Sequence, residues 1–505
     1  MAGPPDASQR SLVEELRDTL GAAGYTHECI SELVPEPVAA ARRAGWQGPL
    51  RDVLSGGSPL DVLVGLFTGE LDLAEGMVAA AFGAGQLDRW ARLGLVAADD
   101  GSVRPLIGLQ PVTMAGDHLV VARDLRLSEP RADEVMGFAG SSMLLAQAMI
   151  RRRAKRALDV GTGGGAQAIV ASRFYEHVVG VDRSPRAIDF ARFNLLLNNV
   201  TNVELCEGDR FGPVAEQQFD LVIANPPFVI SPIRDRVFRD GGLPRDEMTA
   251  SVVVGAGRHL APGGWAVVLG NWITPAGAAW DEGVRFWVAA SGCDGWAIEV
   301  RSRDPMGYVV GWISEEARVD PADADERFAT WMEYLRAEKV AAIGYGLVVL
   351  HRGAGGRRWF RSDRYDGGFA TPCDRAIVAS FEATDWLAGA TDDALGEAIL
   401  TLASDAALGV EYRPDGGWAE QTLYLTHREG LRRAVDVSRR TADFLGRCDG
   451  SRTLGALQAE WAVDAGAGPE DVVALLTTCR ELIQSGFLVP AGTSTAKRRT
   501  IRREF

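Results

Sequence analysis

The chain has 505 residues, too many for one hydrophobic core, which predicts about three domains. Hydrophobic residues at 47% and charged residues at 24% are ordinary globular proportions and exclude a fibrous or mostly disordered protein. A formal net charge of -15 argues against a protein whose main task is to grip phosphate backbones, although a local basic patch can act alone.

The first residues, Met1-Ala2-Gly3-Pro4-Pro5-Asp6, show no charged leader followed by an apolar stretch, and no apolar run exceeds strand length. A soluble, cytoplasmic protein with no membrane contact is expected. The six cysteines (Cys29, Cys206, Cys293, Cys373, Cys448, Cys479) are scattered, so neither a zinc knuckle nor a C-x-x-C pair is available, and free thiols are the simple reading. The six histidines are also single, without metal-ligand spacing, and no metal site is expected.

Leu12, Leu16 and Leu20 recur at helical spacing. Short helices follow at about 59–67, 73–82 and 87–93. A ribbon then runs through Ile107 and Leu109, with a second strand at 118–122. Helices followed by a β-ribbon predict a winged-helix-like domain over 1–130, a module that serves as a dimer contact, a lid or a DNA reader.

From Ala154 the rhythm changes to strand, turn, helix. Strands are expected at 156–160, 178–181, 203–206, 221–224 and 265–270, and helices at 166–174, 185–198 and 249–260. A strand at 344–350 closes this second domain, over 131–352. Alternation of this kind predicts βαβ units and a parallel sheet. The third region, 353–505, opens on the linker-like Gly353-Ala354-Gly355-Gly356-Arg357-Arg358. It closes on helix, turn, helix, a short strand at 486–490 resembling another winged-helix unit, and a basic tail at 497–503.

Four motifs in the second domain carry chemistry. Asp159-Val160-Gly161-Thr162-Gly163-Gly164-Gly165 follows a strand and opens a helix, where glycines permit a tight turn and close approach of a ligand to the backbone. Dinucleotide-binding enzymes share such turns. Asp182, about twenty residues after Gly161, ends the next strand, where an acid can accept from both ribose hydroxyls or can cap the helix beginning at Ser184-Pro185. Glu207-Gly208-Asp209 ends the third strand, and an acid there can accept from an adenine amino group.

The fourth motif, Asn225-Pro226-Pro227-Phe228, ends the strand at 221–224. Two prolines fix the backbone and remove N–H donors, leaving carbonyls free to accept, while Phe228 offers a stacking face. The Asn225 side chain and the Pro226 carbonyl together suit a planar amine or amide bearing NH2. No strong base is required if the proton leaves after transfer.

With these motifs the chain resembles class I S-adenosylmethionine-dependent methyltransferases with an Asn-Pro-Pro-(Tyr/Phe) motif. It looks like the branch of the release-factor glutamine and small-domain ribosomal RNA guanine enzymes, with flanking domains as in actinobacterial homologues. The resemblance spans about 157–228 most closely and softens towards 350. It implies an α/β fold, a Rossmann-like seven-stranded methyltransferase sheet, flanked by the N-terminal winged-helix-like domain and a C-terminal α+β domain. It implies S-adenosyl-L-methionine as cofactor. Asp159, Gly161, Gly163 and Gly165 would line the methionine side, with Thr162 in the same loop. Asp182 would take the ribose and Asp209 the adenine. Asn225, which also borders the cofactor, Pro226, Pro227 and Phe228 would hold the acceptor. Phe228 departs from the Tyr usual in the glutamine and adenine enzymes, which keeps the stacking face and loses the hydroxyl.

The expected reaction is N-methylation of a protein glutamine, a nucleobase amine or a metabolite amine or amide. A small-molecule O- or C-methyltransferase, homodimeric through the N-terminal domain, and a non-catalytic cofactor-binding scaffold are the alternatives. Two basic groups are further candidates: Arg151-Arg152-Arg153-Ala154-Lys155-Arg156 before the first strand, and Arg234, Arg236 and Arg239 beside the acceptor motif.

Overall fold

A computed structural model describes residues 3–114, 116–126, 131–233, 239–315, 321–353, 355, 358–365, 369, 372–414 and 418–491. Arg234, Arg236 and the basic tail at 497–503 lie outside the described residues. The chain divides into two compact units, Met1–Arg364 and Tyr365–Phe505. The sequence predicts three segments instead, with a boundary at 352.

The first unit is built on an eight-stranded sheet. Its strands in chain order are β1 (Ala154–Val160), β2 (Tyr175–Asp182), β3 (Val203–Glu207), β4 (Phe219–Ala224), β5 (Leu260–Pro275), β6 (Asp294–Arg303), β7 (Val340–His351) and β8 (Phe360–Arg364). They lie side by side as β3-β2-β1-β4-β5-β7-β6-β8. Strands β1 to β5 are mutually parallel, and β7 runs antiparallel between β5 and β6. This is a Rossmann-like arrangement in a mixed α/β unit.

The sheet has eight strands where seven are expected, and the six placed from the sequence omit β6 and also β8. Strand β8 pairs with β6, Gly295 opposite Phe360 through Glu299 opposite Arg364, after the glycine-rich stretch that reads as a linker. That pairing is why the first unit reaches 364. Strand β5 is also longer than expected, because its apolar run continues through Trp272 and Ile273, both buried.

The helices nearest the sheet are α1 (Gly140–Ala148), α2 (Ala166–Ala171), α3 (Pro185–Leu197), α4 (Glu247–His259), α5 (Glu282–Ser291), α6 (Pro305–Glu315) and α7 (Pro321–Ala337). Helix α3 starts on Pro185 with the Ser184 side chain accepting from Ala187 N–H, a favourable N-terminal pairing. No helix among the described residues is long and apolar enough to cross a membrane.

Residues 10–123 form short helices, a three-stranded antiparallel sheet and the hairpin Gly108–Met114 with Asp117–Arg123. Their core does not stand alone. Val13, Leu16, Trp90 and Val103 share one buried cluster with Phe190, Phe193 and Leu197 of α3. The junction is also polar: Asn194 of α3 exchanges hydrogen bonds with Ala122 of the hairpin, Asn198 does so with Val120, and Arg186 pairs with the buried Asp124.

The second unit is α+β. One three-stranded sheet sets Ile399–Leu402 between Asp449–Thr453 and Leu488–Pro490. A second is the meander Ala406–Pro414, Trp418–His427, Ala434–Val437. Helices Leu454–Ala465 and Pro469–Gln484 cover a core containing Phe444, Leu482 and Phe487. All six cysteines are free thiols.

Candidate active site

Strands β1 and β4 are neighbours, while β2 and β5 lie on opposite sides of them. Connections therefore leave in opposite directions at this point, which opens a crevice outside the carboxyl ends of the strands. A cavity of about 640 Å³ occupies it, within the range of a small-molecule site. Its wall includes Gly161, Thr162, Gly163, Asp182, Asp209, Asn225, Pro226, Pro227 and Phe228.

The shape of the glycine loop follows from backbone geometry. Gly161, Gly163 and Gly165 have φ of 72°, 54° and 81°, in the left-handed region that favours glycine. Asp182 straps this loop down, accepting from Gly163 N–H at 2.8 Å and from Ser184 N–H at 2.9 Å. Burial pushes its carboxyl above the usual range. The helix cap is Ser184, which accepts from Ala187 N–H, and Asp182 faces the loop. Asp209 stands at the end of β3, exposed, with its carboxylate held by Arg210 at 2.8 Å.

Two predicted cofactor residues lie behind the cavity wall rather than in it. Asp159 is buried and accepts from Thr162 Oγ1 at 2.7 Å, and burial raises its carboxyl to about 7. It supports the loop from beneath. Gly165 opens α2 at a close crossing, where a Cβ would fall 3.2 Å from Ala191 Cβ. Asp159 serves the loop through a hydrogen bond and Gly165 through packing.

The acceptor motif leaves β4 beside the glycine loop: Val160 pairs with Ala224, and a Cβ on Gly161 would lie 4.0 Å from the Asn225 carbonyl oxygen. Asn225 Nδ2 has only long contacts, 3.4 Å to Ser142 Oγ and 3.5 Å to Ser141 Oγ. Its amide is therefore lightly committed within the protein. Pro226 is buried and Phe228 half-buried, its ring centroid 5.7 Å from that of Tyr345.

Arg239 lines the cavity but is buried and paired with Asp240 at 2.9 Å, so its charge is matched. The run at 151–156 lies at the opposite, amino end of β1. There Arg151 donates to the Ala146 carbonyl, Arg152 to the Gly263 carbonyl, and Arg156 sits over the Phe219 ring.

Several wall residues carry no sequence motif. Helix α1 brings Ser141 and Ser142 opposite Asn225. Gln167 donates to the Ser142 carbonyl, leaving its own buried Oε1 without a partner. Asn271, Arg301, Arg303, Tyr308 and Tyr345 close the far end. Asn194 ties the site to the N-terminal segment, since it donates to the Gly164 carbonyl at 2.9 Å as well as to Ala122.

Comparison with known proteins places these features. The family described as Methyltransferase small domain matches residues 137–281. Residues 137–281 form a methyltransferase small domain. It is of the class I, S-adenosylmethionine-dependent type, in the branch of the release-factor glutamine and ribosomal protein L11 methyltransferases. A release factor glutamine methyltransferase of Geobacter sulfurreducens is 35% identical over 133 residues, 23% of this chain and 46% of the relative. A ribosomal protein L11 methyltransferase of Clostridium perfringens is 46% identical over 68 residues, 13% of this chain and 21% of the relative. The chain spans about half the length, or less, of these curated relatives.

Among solved structures, the Thermus thermophilus 16S rRNA N2 G1207 methyltransferase in complex with AdoMet and guanosine is 18% identical. The match covers 44% of this chain and 59% of that one, with a TM-score of 0.26. Residues 22–106 match a Domain of unknown function (DUF7059).

S-adenosylmethionine is the cofactor of the methyltransferase small domain, and the residues here fit it. A left-handed glycine loop borders the cavity, a mostly buried carboxylate stands at the second strand end, and the unpartnered Gln167 Oε1 is a spare acceptor in the wall.

Proposed function

We propose that this chain methylates a planar nitrogen bearing NH2: a protein glutamine, a nucleobase amine, or a metabolite amine or amide. The observation that carries the reading is the lightly committed Asn225 amide at the carboxyl end of β4, in the same cavity wall as Asp182 and the glycine loop. S-adenosylmethionine supplies an electrophilic methyl group there. Gly161, Thr162 and Gly163 would border its methionine part, Asp182 its ribose and Asp209 its adenine.

The Asn225 side-chain carbonyl and the Pro226 carbonyl would each accept one N–H of the acceptor. That fixes the plane of the group and turns the nitrogen lone pair toward the cofactor end of the cavity, a gain in orientation. Phe228, resting on Tyr345, gives the acceptor a flat wall. The nitrogen becomes cationic on alkylation and releases a proton to water, so no neighbouring strong base is needed. The likeness to release-factor glutamine methyltransferases supports an amide nitrogen. The segments outside 131–352 would contribute to acceptor choice and to assembly.

The test is transfer of labelled methyl from S-adenosylmethionine into a fractionated extract, followed by hydrolysis of the labelled fraction. Label on an amide or amine nitrogen in the protein, nucleic-acid or small-molecule fraction is the expected result and names the acceptor class. Label on oxygen or carbon would overturn the reading.

A further inference from the structure

The far end of the cavity has a composition that planar-nitrogen chemistry alone does not require. Three adjacent strands present one row across it: Asn271 of β5 is opposite Tyr345 of β7, which is opposite Arg301 of β6. Two residues along, Ile343 is opposite Arg303. The alternation of a strand puts 301 and 303 on the same face, as it does 343 and 345. All five line the cavity.

Asn271 is 2% exposed. Its Nδ2 lies 3.0 Å from the Tyr308 hydroxyl, which also accepts from Ile230 N–H. Its Oδ1 has no partner among the described residues. A buried, unsatisfied acceptor in a cavity wall is costly unless a ligand supplies the donor.

Arg301 and Arg303 add charge beside it. The Arg301 guanidinium carbon lies 6.0 Å from the Tyr345 ring centroid. Arg303 is laid along α6, where a Cβ on Gly311 would fall 2.1 Å from Arg303 Nη1. The absence of a side chain at Gly311 makes that placement possible. Neither arginine has a carboxylate partner among the described residues, whereas Arg239 and Arg210 in the same wall each do. Asp304, next along the chain, is engaged with Gly307 N–H.

We propose that this row recognises an acceptor that carries an oxyanion: Asn271 Oδ1 accepts an N–H of the acceptor, and Arg301 with Arg303 holds its phosphate or carboxylate. The inference rests on the planar-nitrogen reading and narrows it. The same acceptor presents NH2 to Asn225, a flat group to Phe228 and Tyr345, and a negative charge to β6. Arginine suits this because its fork of donors matches both oxyanions.

The test uses two matched pairs on the full chain loaded with S-adenosylhomocysteine, by calorimetry. Guanosine against guanosine monophosphate isolates a phosphate. N-acetylglutaminamide against N-acetylglutamine isolates a carboxylate. The charged member of one pair should bind about tenfold tighter or more than its neutral twin, as for a charge-assisted hydrogen bond, and which pair shows it identifies the anion. The double variant Arg301→Gln with Arg303→Gln should erase that gain and leave the neutral twin unchanged. Asn271→Ala should weaken both members of the pair by the same factor. Equal or undetectable binding within both pairs, or a gain that survives the double variant, overturns the inference. Nitrogen methylation in the extract without any such gain leaves the planar-nitrogen reading standing while this inference falls. Label on oxygen or carbon, with the gain intact, does the reverse.

Discussion

Asp159 offers a test of how the ligand loop is supported. Its carboxyl is buried, accepts from the Thr162 hydroxyl, and is raised by burial from an ordinary 3.8 to about 7. A folded-state value above the unfolded one means that the native chain holds a proton the unfolded chain gives up. The resulting stability is complete below about pH 4, fades as pH rises, and is gone above about pH 7. A tenfold change in proton affinity corresponds to about 1.4 kcal/mol, so the rise from 3.8 to about 7 represents on the order of 4 kcal/mol between those limits.

Asp159→Asn removes the titration and keeps an oxygen for Thr162. Its amide NH2 needs a partner where the carboxyl oxygen was an acceptor, at a cost of about 1–3 kcal/mol. Relative to the parent, the variant should therefore gain steadily with pH. It should be less stable near pH 4.5 and equal or more stable near pH 8, with the difference in melting temperature changing by several degrees. The assay is thermal unfolding of both proteins at four pH values, following the transition that S-adenosylhomocysteine shifts. A difference that stays constant with pH, or runs the other way, would refute a buried, largely protonated Asp159.

Three further outcomes are expected. Asn225→Ala should unfold within about 1 kcal/mol of the parent, because its serine contacts at 3.4 and 3.5 Å are weak, and should bind S-adenosylhomocysteine within a few-fold. Its turnover should fall by about a hundredfold or more, and near-normal turnover on the true acceptor would end the planar-nitrogen mechanism. Asp182→Ala should weaken S-adenosylhomocysteine by about 1.5–3 kcal/mol in calorimetry, the range for hydrogen bonds to a charged group, and unchanged affinity would remove the ribose assignment. Asn194→Ala should lower both stability and S-adenosylhomocysteine affinity, since one amide bonds Ala122 of the hairpin and Gly164 of the ligand loop. Lower stability with full affinity would show that the hairpin does not support the loop.

The proposed cofactor side is legible in the sequence because its chemistry is local. Gly161, Gly163 and Asp182 sit at strand ends in a short span, and each is the residue type that its backbone angle or hydrogen bond demands. Asp159 shows the limit of such reading: an acid beside a glycine turn resembles a ligand, and only its burial reveals a support. The acceptor end is hidden for a different reason. Asn271, Arg301 and Tyr345 become neighbours only through the β5-β7-β6 order, and no short motif encodes a strand order. Their signal is a polar side chain interrupting an apolar run, as at Asn271 between Leu269 and Trp272.

The junction with the N-terminal segment is hidden in a similar way. Helix α3 reads as one element of a βαβ unit, which needs one apolar stripe toward the sheet. Yet Ala187, Ile188, Phe190, Ala191, Phe193, Leu195 and Leu197 are all buried, over a broader arc than one stripe, with the Asp189–Arg192 pair on the remaining face. A helix buried over so broad an arc must be covered by more than the sheet. The sheet covers one face of α3, and the core of residues 10–123 covers the other. Two asparagines at its C-terminal end, Asn194 and Asn198, bond the hairpin backbone. A broadly apolar helix with two asparagines four residues apart is thus a readable sign that another segment docks there. Because Asn194 also reaches Gly164, that docking bears on the cofactor loop as well as on acceptor choice.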